Sequence, residues 1–182
     1  MEKTETRRQL ILEKIADYMM EYGIKESSIR PLAAAAGISD RMLLYYFANK
    51  EEVMTAALNL IAARMISLLE SARSEPMPFQ TLMPHLAGML KDSHVRPYLR
   101  LWLELASLSA SGEESYGQMA RQIGDLFYAW LVTELQVDRE ESRAVLAALA
   151  FVTIEGFVFI DAIGGDAIIQ EALEAITTNS AQ

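Results

Sequence analysis

Residues 28–53 read SIRPLAAAAGISDRMLLYYFANKEEV, and this stretch decides the fold. It contains two short apolar runs, one between Ser28 and Gly37 and one between Ser39 and Phe47. Serine is a preferred N-cap, and glycine often ends a helix in the left-handed conformation. The stretch therefore predicts two short helices joined by a tight turn.

Local chemistry predicts where these two helices begin. We expect Ser28 to cap the first by accepting a bond from the Arg30 N–H. Pro31 then occupies the third helical position, where a missing N–H costs nothing. Ser39 is expected to cap the second helix, which runs to Tyr46 or Phe47.

Longer helices are predicted on either side of this pair. Thr6 can cap the preceding helix, whose apolar residues recur every three to four positions until Gly23. Asn49 and Glu52 have the spacing of a capping box and open a following helix that reaches about residue 71. A short helix pair braced by a preceding helix is the arrangement of a helix-turn-helix, a DNA-reading unit.

The remainder of the chain is also predicted to be helical. A linker at Ser74–Pro78 separates it from the first four helices, and a possible capping box at Asp138 and Glu141 opens one of its segments. No strand-like alternation persists. The helices are predicted near residues 79–92, 96–110, 115–135, 139–163 and 167–177. The sequence thus predicts an all-α protein with a three-helix helix-turn-helix module (1–52) and a C-terminal helical bundle (53–182).

Composition limits the possible functions. A net charge of −9 over the whole chain is unfavourable for DNA binding, but residues 1–52 carry eight Lys/Arg against nine Asp/Glu, a balance of only −1. The chain has no cysteine, and its polar start does not resemble a secretory signal. The longest apolar stretch, 144–163, contains two carboxylates, which favours a helix buried in a bundle over a membrane span. We therefore expect a cytoplasmic protein without a membrane partner or a cofactor.

The second short helix can be oriented from its spacing, at about 100° per residue. Leu43 and Phe47 share one side and can pack inward, whereas Arg41 and Tyr45 point outward, flanked by Met42 and Leu44 on the helix. Arginine is the commonest reader of guanine, and tyrosine can contact a phosphate or a thymine methyl. The alternative is that these side chains are ordinary surface.

Residues 7–53 resemble the DNA-binding region of TetR-family transcriptional regulators. The resemblance rests on SIRPLA at 28–33, AGIS at 36–39, LLYYF at 43–47 and NKEEV at 49–53. It implies a ligand-responsive repressor that binds a palindromic DNA operator as a homodimer and is released by a small-molecule inducer. It further implies that the second short helix enters the major groove and that Lys50 meets a phosphate. The DNA-contacting residues that we predict are Ser28, Arg30, Ser39, Arg41, Met42, Leu44, Tyr45, Tyr46 and Lys50.

Three positions of the second short helix depart from the family pattern. The family often has Thr or Ser where Met42 stands, and usually Tyr where Leu44 stands; both usual residues contact phosphate. Arg41 occupies a place often filled by Gly. The operator sequence is therefore not transferable from relatives, and Tyr45 and Tyr46 are candidates to replace the missing contacts.

The helices near 115–135 and 139–163 are predicted to form the dimer. The second of them is apolar nearly all round, so it needs partners on every face, and the resemblance implies a four-helix bundle across a two-fold axis. Aromatic and methionine side chains here can form plain core or line a ligand pocket. The ligand-binding candidates are Met89, Trp102, Phe127, Trp130, Phe151, Glu155 and Phe159.

Three carboxylates of this region carry separate expectations. Glu104 can pair with Arg100 one turn earlier. Glu155 has apolar helical neighbours, so it needs a partner from another helix, the second subunit or a cationic ligand. Asp161 lies nearer the end of its helix and is expected to be wetter.

Two other classes of function remain as alternatives. A helical enzyme would need a nucleophile–base pair, a metal-ligand cluster or a phosphate-binding glycine loop, and the sequence contains none that is obvious. A helical adaptor that does not bind DNA would have no need for Arg41, Tyr45 and Lys50 on one face. The sequence therefore favours a regulator that is not an enzyme.

Overall fold

The structure is a computed structural model that describes residues 2–71, 75–137, 139 and 142–178. Nine α-helices run through these residues, and they confirm the all-α fold class. Their bounds are α1 (Glu2–Tyr22), α2 (Ile29–Ala36), α3 (Asp40–Tyr46), α4 (Lys50–Ser71), α5 (Phe79–Met89), α6 (Arg96–Ala110), α7 (Glu114–Glu134), α8 (Arg143–Ala162) and α9 (Asp166–Thr178).

Packing divides the chain into two compact units. The first contains residues 1–67 and 100–123, and the second contains residues 68–99 and 124–182. Both units draw on α4, α6 and α7. This division concerns packing, and the predicted functional boundary at residue 52 stays a prediction.

The core of the first unit forms where α1, α2 and α3 meet. Its innermost side chains are at most 1% exposed. They are Ile15 and Met19 of α1, Leu32 of α2, and Leu43 and Phe47 at α3. Leu43 and Phe47 are the inward positions that helical spacing predicted, and the three helices pack through their apolar faces.

Gly37 ends α2 in the left-handed conformation, with φ of 72°. The Gly37 N–H donates to the Ala34 carbonyl, and the Ile38 N–H donates to the Ala33 carbonyl, both at 3.0 Å. These two hydrogen bonds are those of a Schellman motif, which satisfies the carbonyls of the last helical turn. The predicted stop at Gly37 is therefore confirmed.

Two of the predicted helix starts are confirmed with their hydrogen bonds. The Ser39 hydroxyl accepts from the Met42 N–H at 3.2 Å, which caps α3. At the start of α4, Asn49 Oδ1 accepts from the Glu52 N–H at 2.8 Å. Glu52 Oε2 accepts in return from the Ala48 N–H at 2.6 Å, one residue before the expected position. Side-chain caps thus begin both α3 and α4.

Two other predicted starts are wrong in detail. α1 begins at Glu2, so Thr6 lies inside the helix instead of capping it. Ser28 occupies the N-cap position of α2, but its side chain makes no capping bond to the Arg30 N–H. Pro31 lies at the third position of α2 as predicted. α1 therefore begins one turn before the predicted cap at Thr6, and α2 begins without a hydrogen bond from a capping side chain.

The second unit has its core between α5, α8 and α9. Buried side chains come from Leu82 and Met83 of α5, Ala150 and Phe157 of α8, and Ile169 of α9. An isolated bridge ties the segment before α5 to the end of α7. In it, the Met77 N–H donates to the Glu134 carbonyl at 2.9 Å, and the Gln136 N–H donates to the Met77 carbonyl at 2.8 Å.

The bridge shows that the predicted linker is paired at Met77. This residue is tied to the end of α7, whereas Ser74 lies outside the described residues. α5 ends at Met89, three residues before the predicted 92, and α8 begins at Arg143 instead of 139. The predicted capping box at Asp138 and Glu141 also lies outside the described residues.

The expectation that Asp161 is exposed to solvent is wrong. Its side chain is only 4% exposed, at the end of α8. Lys91 Nζ lies 2.5 Å from Asp161 Oδ1, which is ion-pair distance without hydrogen-bond alignment, and Arg96 lies 3.3 Å from Oδ2. Lys91 also pairs with Asp166 at the start of α9, at 2.5 Å. A buried carboxylate is therefore compensated by two cations, one from the loop after α5 and one from the start of α6.

Two helices, α4 and α8, are long and apolar enough to cross a membrane by length and composition alone. The core helices of soluble proteins pass the same test. In α4, 44% of the apolar window is buried within the structure. The corresponding share in α8 is 28%, so this helix leaves much of its apolar surface uncovered.

Candidate nucleic-acid interface

Helix α3 separates its side chains into a buried and an exposed set. Leu43 is fully buried, whereas Arg41, Met42, Leu44 and Tyr45 are exposed; Tyr45 is 72% exposed. These four exposed residues line one shallow depression on the surface. We call this surface the α3 patch. Because the buried leucine already anchors the helix, the fold does not need the side chains of the patch.

The other predicted DNA-contacting residues lie at the ends of neighbouring helices. Ser28 and Arg30, at the start of α2, are exposed, as are Ser39 before α3 and Lys50 at the start of α4. Tyr46 is half-buried and packs edge-on against Tyr45, with ring centroids 5.3 Å apart. All of these residues belong to the first unit.

Arg8 supports the end of α3 and was not singled out from the sequence. Its Nε donates to the Tyr46 carbonyl at 3.3 Å, and its guanidinium lies 4.4 Å from the centre of the Phe47 ring. It also pairs with Glu52 at 3.2 Å. One side chain from α1 thus fixes the corner between α3 and α4. The spacing of polar residues along α1 contains no signal for this role, since the partners are distant in sequence.

Glu104 holds the loop that leads into α2. Its Oε2 accepts from the Ile24 N–H and its Oε1 from the Lys25 N–H, each at 2.9 Å. Gly23, with φ of 90°, makes room for this carboxylate, because a Cβ there would lie 2.6 Å from Glu104 Oε2. The loop before α2 is therefore fixed from α6.

The predicted intrahelical pair of Glu104 with Arg100 is wrong. Arg100 instead donates to the Met20 and Glu21 carbonyls at 2.5 and 3.1 Å. A cation at the last carbonyls of α1 complements the helix dipole, and the carboxylate complements the exposed N–H groups that follow. Arg100 and Glu104 of α6, which carry opposite charges, therefore both bind backbone groups at the C-terminal end of α1.

The ligand-binding candidates divide between the two units. Trp102 belongs to the first unit, and the other six belong to the second. Trp130 is 7% exposed, and its indole N–H meets no acceptor among the described residues. Met89, Phe127, Phe151 and Glu155 are half-buried. Phe159 is 57% exposed and lies on the surface of α8.

Phe159 belongs to an apolar face that runs along α8. The face repeats every three to four residues and continues just past the helix end. Its large side chains are 50–69% exposed. They are Val145, Leu149, Val152, Phe159 and Ile163. We call this surface the α8 face; its pattern of a heptad seam is typical of helices that pack against another helix.

The fold and the α3 patch define a class of protein. Three helices with a capped, outward-facing α3 form a helix-turn-helix, and an all-helical body follows it, as in DNA-binding transcriptional regulators.

Comparison with known proteins finds similarity to one family within that class. Residues 11–64 match the family model of bacterial regulatory proteins of the tetR family. The HTH-type transcriptional regulator BetI of Serratia proteamaculans (strain 568) is 24% identical over 178 residues, covering 95% of this chain and 89% of that protein. The chain is therefore similar to TetR-family transcriptional regulators, most directly in its N-terminal region.

Solved structures agree in fold. A TetR-family transcriptional regulator from Cytophaga hutchinsonii superposes with a TM-score of 0.70 at 18% identity, covering 97% of this chain and 94% of that one. The multidrug binding protein EbrR, solved in complex with proflavin, superposes with a TM-score of 0.63 at 22% identity, covering 93% and 99%.

Proposed function

We propose that this regulator is a ligand-responsive repressor that acts in the cytoplasm. It binds a palindromic operator as a dimer, and a small molecule releases it. The observation that carries the DNA-binding part is the α3 patch, where Arg41 and Tyr45 are exposed while Leu43 and Phe47 are buried behind them.

The chemistry of the patch suits the major groove. An arginine side chain can bind guanine O6 and N7 with two hydrogen bonds, and each such pair discriminates by about 1–3 kcal/mol. The hydroxyl of Tyr45 can donate to a phosphate. Around the patch, Ser28, Arg30 and Ser39 carry donors for the backbone, which sets the register of the protein on DNA.

The test of the reading face is substitution of Arg41→Ala and of Tyr45→Ala. Each variant should lose operator binding in a gel shift while its thermal unfolding stays unchanged, because both side chains are exposed. Glu171→Ala removes an exposed charged side chain of α9, away from the α3 patch and the proposed dimer helices, and serves as the control. Equal affinity of the Arg41 and Tyr45 variants and the parent would overturn the assignment.

Lys50 is expected to behave differently. It lies at the start of α4, where a cation can meet a phosphate without reading a base. Lys50→Ala should weaken binding to all sequences and lower the slope of log affinity against log salt by about one per lysine removed. An unchanged slope would exclude a phosphate contact by this residue.

The α8 face supports the dimer. A row of large apolar side chains in water is unfavourable, and a second copy of the chain would bury it by the same two-fold arrangement. α7 adds Leu126, which is 41% exposed, so we place the interface on α7 and α8. Two copies would then present two α3 patches to half-sites about one helical turn apart, which is why the operator is expected to be palindromic.

Trp130 supports a small-molecule site in the second unit. A buried indole N–H without an acceptor is costly, and a ligand oxygen could satisfy it. Met89, Phe127, Phe151 and Glu155 of the same unit are the other proposed lining residues. That EbrR was solved with proflavin agrees with a small molecule as the signal.

The ligand proposal is tested on the protein free of DNA. A panel of small molecules is screened for a rise in melting temperature, since a ligand that binds only the folded state stabilises it. For a cationic hit, Glu155→Gln should weaken ligand binding and leave operator affinity unchanged. Unaltered ligand affinity would remove Glu155 from the site.

A further inference from the structure

The exposed surface of α3 is more apolar than operator reading by hydrogen bonds requires. Met42 is 40% exposed, Leu44 is 45% exposed, and Tyr45 presents most of its ring to solvent. Arg41 is the one charged residue among the four that line the depression. Positions 41 and 44 are three residues apart, as are 42 and 45, and positions 41 and 45 are four apart. Their side chains are therefore neighbours on the helix surface.

Packing does not account for the two aliphatic side chains. The inward side of α3 is occupied by Leu43 and Phe47, which are at most 1% exposed. Met42 and Leu44 are instead turned toward the surface that carries Arg41 and Tyr45. Burial of their carbon atoms is favourable only when another molecule covers the patch.

The major groove offers one apolar group that such side chains can meet. Of the four bases, only thymine carries a methyl group on its groove edge, and the other edges present donors and acceptors. Leucine has no hydrogen-bonding group, and the methionine thioether is only a weak acceptor. These two side chains therefore gain little from a purine edge and gain most from a methyl group.

We propose that the α3 patch reads thymine methyl groups beside a guanine, with Met42 and Leu44 as the residues that determine this specificity. Arg41 binds the guanine, and the two aliphatic side chains cover methyl groups of adjacent thymines. The proposal deepens the DNA-binding function proposed above and depends on it.

The experiment removes single methyl groups from the DNA. An operator is first selected from random duplexes with the full-length protein. Each thymine of its half-sites is then replaced in turn by deoxyuridine, which lacks only the C5 methyl and keeps its base pairing. Affinity is measured by fluorescence anisotropy at fixed salt. Loss of a contacted methyl should weaken binding about three- to fivefold in each half-site.

Two variants connect the effect to its residues. Met42→Ala and Leu44→Ala should bind the thymine operator more weakly and lose their response to deoxyuridine at the thymine that each covers. Their salt dependence should stay unchanged, because no phosphate contact is removed. Glu171→Ala, at an exposed position of α9, should keep the full deoxyuridine response. Thermal unfolding of each variant confirms that it is folded.

The outcomes separate this inference from the function on which it rests. If no operator is selected, the DNA-binding proposal itself fails. If an operator is bound specifically but tolerates deoxyuridine at every position, DNA binding stands and methyl reading is wrong. If both alanine variants keep the deoxyuridine response, other residues or the DNA shape produce it, and the assignment to Met42 and Leu44 is wrong.

Discussion

Replacement of Glu104 tests whether α6 holds the entry to the DNA-reading module. The Glu104 carboxylate accepts the Ile24 and Lys25 N–H groups, and both residues lie between α1 and α2. Glu104→Ala removes both acceptors at once. Among the described residues, no other side chain accepts from these two N–H groups. In the variant they therefore bind water or stay without an acceptor.

The size of the effect follows from the exposure of the two bonds. A hydrogen bond to a charged group contributes about 1.5–3 kcal/mol. The bond from Lys25 is exposed, so water replaces most of it, whereas the bond from Ile24 is partly buried and is lost. We therefore expect Glu104→Ala to lower the free energy of unfolding by about 2 kcal/mol. Glu104→Gln keeps one acceptor oxygen and should cost about half as much.

The assay is thermal unfolding at one fixed protein concentration, because any dimer makes the midpoint depend on concentration. For a chain of this length, a loss of about 2 kcal/mol lowers the melting temperature by about 4–8 °C. Glu171→Ala, at an exposed position of α9, is the matched control and should shift it little. Equal melting temperatures for Glu104→Ala and Glu171→Ala would refute the reasoning.

Three further perturbations test other contacts. Val152→Glu places a charge at a position that is 69% exposed on the α8 face, so it should yield a folded monomer in sedimentation analysis; a persistent dimer would move the interface elsewhere. Pairing with Asp161 and Asp166 raises the pKa of Lys91, so its stabilisation is complete below about pH 10.5 and is lost as the pH rises through the raised pKa. Asp161→Asn should therefore make denaturant midpoints fall less steeply above that pH. Arg64 lowers the pKa of Glu13, so that stabilisation is present above about pH 4.5 and is lost as the pH falls through the lowered pKa; Arg64→Met should reduce the acid-side loss, and an unchanged acid profile would argue against the pair.

Much of the first unit could be predicted from local sequence. The stop at Gly37, the cap at Ser39 and the cap at Asn49 depend on neighbours within four residues, and each is present with its hydrogen bonds. The predicted exposure of Arg41 and Tyr45 followed from spacing alone, because inward Leu43 sets the rotation of a short helix.

The failures have a common physical cause. Glu104 has Arg100 one turn earlier, and the pair was predicted because that partner is near in sequence. In the fold, both side chains reach backbone groups about 80 residues away at the end of α1. A backbone N–H or carbonyl leaves no trace in side-chain spacing, so such a partner is invisible before the chain folds. The same holds for Asp161, whose cations come from the loop after α5 and the start of α6.

The sequence by itself determined the helix pair around residues 28–53, the cap at Ser39 and the orientation of α3, because these depend on interactions within one or two turns of helix. It also determined that α8 is apolar on all sides. Only the tertiary structure decided which side of α8 stays exposed, since the packing of α5 and α9 covers Ala150 and Phe157 and leaves Val145 and Val152 in solvent. Likewise, only the tertiary structure showed that Arg8 and Glu104 hold the two ends of the reading module, because long-range partners are chosen by packing and not by spacing.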